Sequence, residues 1–438
     1  MNPGVVKAAI NVKVTEPGVT EQASERARQW NQTEVELVTE DDKSFSAMCD
    51  REGVAHVLNL TGNVKEVKVR RRGPDAIPIS WMVKHPSTSG FVPGAEVSVE
   101  IGARLRHSAW VTGGHLYRND QALNELAGVV DDVSMLETFF ITGNGGCDFD
   151  KRFAGGQKPE KKKEVCQQII SGCHTRGIQV LCGYEGGLDP KKSDPKKGKQ
   201  ENTAEATFFR EFLRNASIAT VEKHAHSIYE KIFVDLGLDF DGVSFDLEII
   251  GLDLMTEELE ALYGTLASLL ARDNRVLAYA SSLFKVDGDP PGDNVSHLRS
   301  QPYRFAKLAP NIIVRPMGYD GGQRVEWHGP GIDCALREVK LHPSQFQMGV
   351  KLANKMGGAK IGNAEAWSAK TIQEHIVQQY RPNRIGMISF ALGGDTEPGN
   401  GPLRAAIKTF DPVLNPGGPK AGTVATPLQC PRRTENGR

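Results

Sequence analysis

The residues whose spacing carries the most chemistry are Asp241-Gly242-Val243-Ser244-Phe245-Asp246-Leu247-Glu248. Read as a β-strand, the segment sends Ser244, Asp246 and Glu248 to one face and Val243, Phe245 and Leu247 to the other. Two carboxylates at i and i+2 on one face interact, so that one is held protonated near neutral pH while its neighbour stays ionised. That division suits acid-assisted cleavage of a glycosidic bond. Strand-end carboxylates paired with Arg or with backbone groups are the plainer alternative, and the elements around them decide between the two.

From about residue 104 the sequence alternates strand-like apolar runs with amphipathic stretches, the rhythm of βα units and a parallel sheet. The expected strands are Ser108–Thr112, Glu137–Thr142, Ile178–Tyr184, Phe240–Glu248, Arg275–Ser281, Ile312–Tyr319, Gln345–Leu352 and Ile385–Leu392. Eight is the count of a closed (β/α)8 barrel. The stretches FFREFLRNASIATVEKHAHSIYEKIF and TEELEALYGTLASLLA repeat apolar residues at three and four spacing, as helices of the outer ring must. The acidic face then lies inside the barrel at the C-terminal end of the fourth strand, where such barrels collect catalytic groups. Met317 and Tyr319 share the inner face of the sixth strand with Arg315. A buried guanidinium there needs a carboxylate partner, which makes Arg315 a candidate for holding the acidic cluster.

Residues 1–103 read as a small β-rich accessory domain, with the runs AINVKV, EVELV, HVLNL, EVKV, ISWMV and EVSVEI and a helix around Glu21–Gln29. The run Arg70-Arg71-Arg72 reads as a solvated strand end. Residues 413–438 form a Gly/Pro-rich tail without periodicity, by composition a flexible extension. Residues 189–200, DPKKSDPKKGKQ, follow the third strand and fall on the rim of the active-site loops, as a solvated loop or as a lid or docking point.

Composition narrows the classes of function. The 438 residues are 39% hydrophobic, enough for a large globular core, and 53 basic against 54 acidic residues give a net charge of −1. No global field favours nucleic acid or an anionic membrane, and no stretch has the length and apolarity of a membrane helix. Seven scattered cysteines with no CxxC pair read as reduced, partly buried thiols. No metal or organic cofactor is expected, since no ligand cluster accompanies the acidic motif and GGDTEPGNG near residue 393 lacks the Lys and spacing of a P-loop.

The segment DGVSFDLE is similar to the DGxDxDxE signature of glycoside hydrolase family 18, the chitinases and endo-β-N-acetylglucosaminidases. Gly186-Gly187 after the third strand, Met317-Gly318-Tyr319-Asp320 after the sixth and SFALGGD at residues 389–395 resemble further segments of that family, in the same order. The resemblance covers residues 104–412. It implies an α/β architecture, a (β/α)8 TIM barrel, flanked here by the small N-terminal all-β domain and the C-terminal extension. It also implies a retaining hydrolysis in which the 2-acetamido oxygen of the sugar attacks the anomeric carbon. Glu248 is then the proton donor, Asp246 orients the acetamido group, Tyr319 donates to its oxygen, and Ser244 stands beside Asp246. Asp320, Met317, Phe390 and Tyr184 complete the expected substrate contacts.

Two positions depart from the family pattern. Ser244 stands where the family has an Asp, so it hydrogen-bonds but takes up no proton. Phe390 stands where the family presents a Trp as the floor of the sugar site, which keeps an apolar face and loses the indole N–H. The expected function is hydrolysis of β-1,4-linked N-acetylglucosamine glycans: chitin, N-glycan core or peptidoglycan. The alternative is a weakened or inactive barrel of this kind that binds glycan or serves assembly. The N-terminus lacks a signal-peptide pattern, so synthesis in the cytoplasm is expected. A particle-borne protein released by lysis, such as a phage or injection-device component, reconciles that with an extracellular glycan. Self-assembly through the N-terminal domain and tail fits the same picture.

Overall fold

A computed structural model describes residues 9–15, 30–31, 33–71, 81–83, 94–103, 105–112, 120–142, 145–150, 153–185, 211–247, 256–282, 303–318, 328–351, 380 and 385–392. The expected helix at Glu21–Gln29, the 189–200 insertion and the tail lie outside these residues.

Seven strands form the first sheet: β1 (Ile10–Thr15), β2 (Thr33–Thr39), β3 (Ser44–Met48), β4 (Val54–Val57), β5 (Val64–Arg71), β6 (Trp81–Val83) and β7 (Glu96–Ala103), in the order β3-β2-β5-β6-β7-β1-β4. Period-two alternation builds them: Ile10, Val12 and Val14 of β1 and Val35 and Leu37 of β2 are buried together with Trp30. An antiparallel bridge between Cys49 and Ala55 brings the two edge strands together, so the sheet rolls up and covers its own edges. Strand β3 escapes the sequence reading because Ser44, Ser46 and Met48 are exposed and only Phe45 and Ala47 turn toward the core.

The second sheet closes into a ring of eight parallel strands: β8 (His107–Thr112), β9 (Asp132–Ile141), β11 (Gln179–Glu185), β12 (Gly242–Asp246), β13 (Val276–Ser282), β14 (Ile312–Met317), β15 (Gln347–Lys351) and β16 (Gly386–Leu392). β8 pairs with both β16 and β9, which is the closure the strand count predicts. A short β10 (Cys147–Phe149) pairs antiparallel to β9 outside the ring. Around the ring stand α1 (Asp120–Leu126), α2 (Pro159–His174), α3 (Ile218–Tyr229), α4 (Thr256–Arg272) and α5 (His328–Asp333). No helix among the described residues is long and apolar enough to cross a membrane.

Local chemistry sets the helix boundaries. Pro159 and Glu160 open α2, and Val165, Cys166, Ile169, Ile170 and Cys173 face the strands. The helical reading across residues 208–233 breaks at Ser217, whose side chain accepts from the Thr220 N–H and starts α3 afresh. In α4, Leu259, Leu262, Tyr263, Leu266 and Leu270 bury one stripe, with Glu257 and Glu258 at the start and Arg272 at the end where the helix dipole favours them. The six cysteines among the described residues are free thiols.

Strand β9 begins five residues before the expected Glu137. Its first inward side chains are Asp132 and Ser134, both fully buried, and polar residues at core positions hide a strand from a hydrophobic reading. They belong to a belt inside the barrel. Arg315 Nη2 donates to Asp132 Oδ1 at 2.9 Å, its Nε to Gln347 Oε1 at 2.8 Å and its Nη1 to Ser134 Oγ. Arg106 Nε donates to Asp132 Oδ2 at 2.7 Å, and the Ser108 hydroxyl bonds the same oxygen. Above this belt, toward the strand C-termini, Trp110, Leu136, Ala280, Met317 and Ile388 fill the barrel.

Candidate active site

Strand β12 is fully buried up to Phe245, and its alternation matches the expectation. Val243, Phe245 and Leu247 join the outer core, where the Phe245 ring meets Tyr263 of α4 at 5.5 Å. Gly242, Ser244 and Asp246 therefore face inward. Ser244 is 2% exposed, while Asp246, the last residue of the strand, is half-buried at the rim. Glu248, Tyr319 and Asp320 lie outside the described residues.

The first residue of the motif does structural work at the opposite end. Asp241 Oδ2 accepts from His174 Nε2 at 2.9 Å and from the Val180 N–H at 2.7 Å, tying the end of α2 and the start of β11 to β12. This bond raises the His174 pKa against the opposing effect of burial.

Tyr184, expected to contact substrate, points the other way. It is fully buried in the outer core, its ring edge-on to Phe245 at 4.9 Å. Its hydroxyl meets His224 Nε2 of α3 at 2.7 Å, and His224 Nδ1 meets the Gly145 carbonyl at 2.6 Å. A carbonyl only accepts, so Nδ1 carries the proton, and Nε2 accepts from the tyrosine. Burial holds His224 neutral, its pKa lowered to about 4. Tyr184 is a brace between sheet and helix.

The residue that takes the inward place on β11 is Glu185. Its register partner in β12 is Asp246, and it is 8% exposed. Side chains that are register neighbours on the same face of parallel strands stand about 4.8 Å apart at the backbone. The described rim thus carries two carboxylates, one from each of two adjacent strands. The signal was present in the sequence as Tyr184-Glu185 before Gly186-Gly187, where strand alternation, and not the family resemblance that named Tyr184, puts Glu185 on the inner face.

The unbroken register of β11 with β12, Leu181 to Glu185 against Gly242 to Asp246, sets that parity, and a bulge interrupts only the pairing on its other edge. Between Cys182 and Tyr184 the pairing of β11 with β9 jumps from Met135 to Phe139, and the Thr138 hydroxyl caps the Met135 carbonyl at 3.0 Å. A Cβ at Gly183 would lie 1.9 Å from that carbonyl, so only glycine fits beside it.

Arg315 also differs from expectation. It is inward and fully buried, but its carboxylate is Asp132 on the far side of the lumen, and it sits in the belt below the rim. Burial alone would raise the Asp132 pKa; Arg106 and Arg315 outweigh it and hold the carboxyl below its ordinary range. Arg315 supports the barrel and not the acidic rim. Met317 lies at the end of β14, 8% exposed and packed on Trp110 and Ile388, which places it in the floor beneath the rim. Phe390 pairs in β16 with Lys351.

The arrangement offers carboxylate oxygens at the mouth of a closed barrel, an apolar floor, and a charge belt already satisfied below it. It can stabilise developing positive charge and hold a proton near a leaving oxygen. Among the described residues no three His, Cys, Asp or Glu side chains converge as a metal site.

No protein-family model matches the sequence. No curated protein matches it. Solved structures similar to the chain include a class V chitinase from Pseudomonas fluorescens Pf-5, at 14% identity and a TM-score of 0.48 over 70% of this chain and 99% of that one. They also include a GH18 chitinase from Pseudoalteromonas aurantia, at 12% identity and a TM-score of 0.46 over 69% of this chain and 98% of that one. The spore cortex-lytic enzyme SleL of Bacillus megaterium QM B1551 is similar at 12% identity and a TM-score of 0.45, over 91% of this chain and 98% of that one.

Proposed function

We propose that the chain is a glycoside hydrolase of the family 18 type, cleaving β-1,4-linked N-acetylglucosamine glycans with the substrate's acetamido group as nucleophile. The observation that carries this reading is the inward placement of Asp246 at the C-terminal end of β12 in a closed eight-stranded barrel, within the DGVSFDLE segment.

In this mechanism Glu248 protonates the leaving glycosidic oxygen while the acetamido oxygen attacks the anomeric carbon from the opposite face. Asp246 holds the acetamido N–H and offsets the positive charge of the oxazolinium ion. Tyr319 donates its hydroxyl to the acetamido oxygen. Water, activated by the Glu248 carboxylate, then opens the ring and restores the starting configuration. Glu185 adds a second carboxyl group beside Asp246 on a rim where the 244 position supplies only a hydroxyl.

The test is hydrolysis of a chromogenic N-acetylglucosamine oligomer by the natural protein beside Glu248→Gln. Loss of the general acid is expected to lower turnover by about 10²–10⁴-fold. No turnover by the natural protein on chitin oligomers, N-glycans or peptidoglycan fragments, with glycan binding retained, would establish the barrel as a binding module instead.

A further inference from the structure

Strands β11 and β12 run side by side in unbroken register, from Leu181 against Gly242 to Glu185 against Asp246. Val180, Cys182 and Tyr184 of β11 and Val243 and Phe245 of β12 lie in the outer core. Alternation therefore turns Glu185 and Asp246 to the lumen in one row, where neighbouring backbones stand about 4.8 Å apart. Their side chains differ by one methylene, so the two carboxyl groups can meet. Glu185 is 8% exposed, and Asp246 is half-buried.

The charged groups around this row are occupied elsewhere. Below it on the inner face both Arg106 and Arg315 bind Asp132, and Arg315 also donates to Ser134 and Gln347, so each of its three nitrogens serves the belt. In the flanking strands the row continues to Phe140 of β9, the register partner of Glu185, and the inner face of β13 presents Ala280; neither titrates. Asp148 of β10, opposite Phe140, faces Lys231 at 3.6 Å. Across the sheet, burial keeps the thiols of Cys147, Cys166 and Cys182 and the phenols of Tyr184, Tyr263 and Tyr279 protonated and His224 neutral. His174 and Asp241 bind each other at the opposite end of the strands.

Two ionised carboxylates about 6 Å apart repel by more than about one pKa unit even at an effective dielectric of about 20. Burial of Glu185 opposes its ionised form in the same sense. One proton held between the two groups relieves both penalties and turns one of them into a hydrogen-bond donor. Ser244, two residues below Asp246 on the same face, cannot take that place, because a hydroxyl does not titrate in this range.

We propose that Glu185 and Asp246 form one proton-sharing acid pair across the seam of β11 and β12, through which Glu185 governs the protonation of Asp246. The pair stands on the register and burial of these two residues; its effect on turnover rests on the glycosidase reading.

The test is a carbon-13 NMR titration of the full chain, labelled at the side-chain carboxyl carbons of Asp and Glu, from about pH 3 to about pH 8. Glu185→Gln and Asp246→Asn, both close in shape to the natural residues, identify the two signals by their loss. In the natural protein each signal should bend at two pH values, the upper at least about one unit above the ordinary glutamate value near about 4.3. In Glu185→Gln the Asp246 signal should follow a single step at least about one unit below that upper value. In Asp246→Asn the Glu185 signal should likewise fall to one step, which reads the same coupling if Glu185→Gln does not fold. Single-step curves in the natural protein, each unchanged when the other residue is replaced, would overturn the pair and leave the glycosidase reading intact. Coupled curves in a protein that neither cleaves nor binds an N-acetylglucosamine tetramer would support the pair and overturn the glycosidase reading. With turnover, the pH profile of kcat/KM should carry the upper step and move down by at least about one unit in Glu185→Gln. A profile that stays in place would overturn the control of Asp246 by Glu185.

Discussion

The tyrosine and glutamate that follow one another on β11 show how much one residue of parity decides. Glu185 shares the rim with Asp246, so Glu185→Gln is expected to lower kcat/KM about tenfold by removing a carboxyl group that favours the positive intermediate. Adding Ser244→Asp to that variant should restore part of the loss, because it returns a carboxylate to the inner face of β12. A Glu185→Gln protein with unchanged kinetics would show that the rim needs only Asp246 and Glu248. Tyr184→Phe makes the opposite case: kcat and KM should stay unchanged while stability falls by about 1–3 kcal/mol, since His224 Nε2 loses its buried donor. Denaturant titration beside steady-state kinetics separates the two effects. The sequence revealed Asp246 and Ser244 because the motif is local and alternation fixes its faces. Tyr184 was named by the family resemblance, whereas the alternation of β11 groups it with Val180 and Cys182 in the outer core, and Arg315 was given the wrong carboxylate because its partner lies 183 residues away along the chain.

At the scale of elements, all eight barrel strands were legible, since each is an apolar run bounded by polar turns. The start of β9 and the whole of β3 were not, for one reason in two forms. In β9 the inward positions are polar because they feed the charge belt, and in β3 Ser44, Ser46 and Met48 face outward so that only Phe45 and Ala47 turn in. The belt links β8, β9, β14 and β15 across the lumen, so its loss should be felt by the barrel as a unit. Arg315→Met leaves Asp132 buried with Arg106 alone and is expected to cost about 3–5 kcal/mol in denaturant unfolding. The double change with Asp132→Asn should cost less than the sum of the single ones, because it removes the stranded charge along with its partner. Strict additivity would mean that Asp132 and Arg315 contribute independently.

Across the whole molecule, the two sheets differ in what acid does to them. Burial lowers the pKa of His224 to about 4, of His328 to about 3 and of His342 to about 4, and all three belong to the barrel. An unfolded histidine titrates near about 6.5. Between that pH and the lowered values the unfolded chain binds protons that the folded one refuses. The stabilisation is therefore complete above about pH 6.5 and is lost as pH falls, with up to three protons giving a slope approaching about 4 kcal/mol per pH unit. His174 works in the opposite sense: its raised pKa adds stability that is fully present below about pH 6.5 and lost as pH rises past the raised value. Its side chain is 35% exposed, so screening makes this the weaker contribution. In the seven-stranded sheet the one histidine among the described residues, His56, is exposed. The lowered carboxyls there, Asp41 and Asp50, keep their contribution until pH falls below about 3.8. Acidification from pH 6.5 to 4.5 should therefore weaken the barrel first. Hydrogen exchange corrected for the intrinsic pH dependence should show amides of β11 to β15 losing protection over that range while those of β1, β2 and β5 keep theirs. Parallel loss in both sheets would mean that they unfold as one cooperative unit, and unchanged protection in the barrel would mean that the buried histidines accept protons in the folded state.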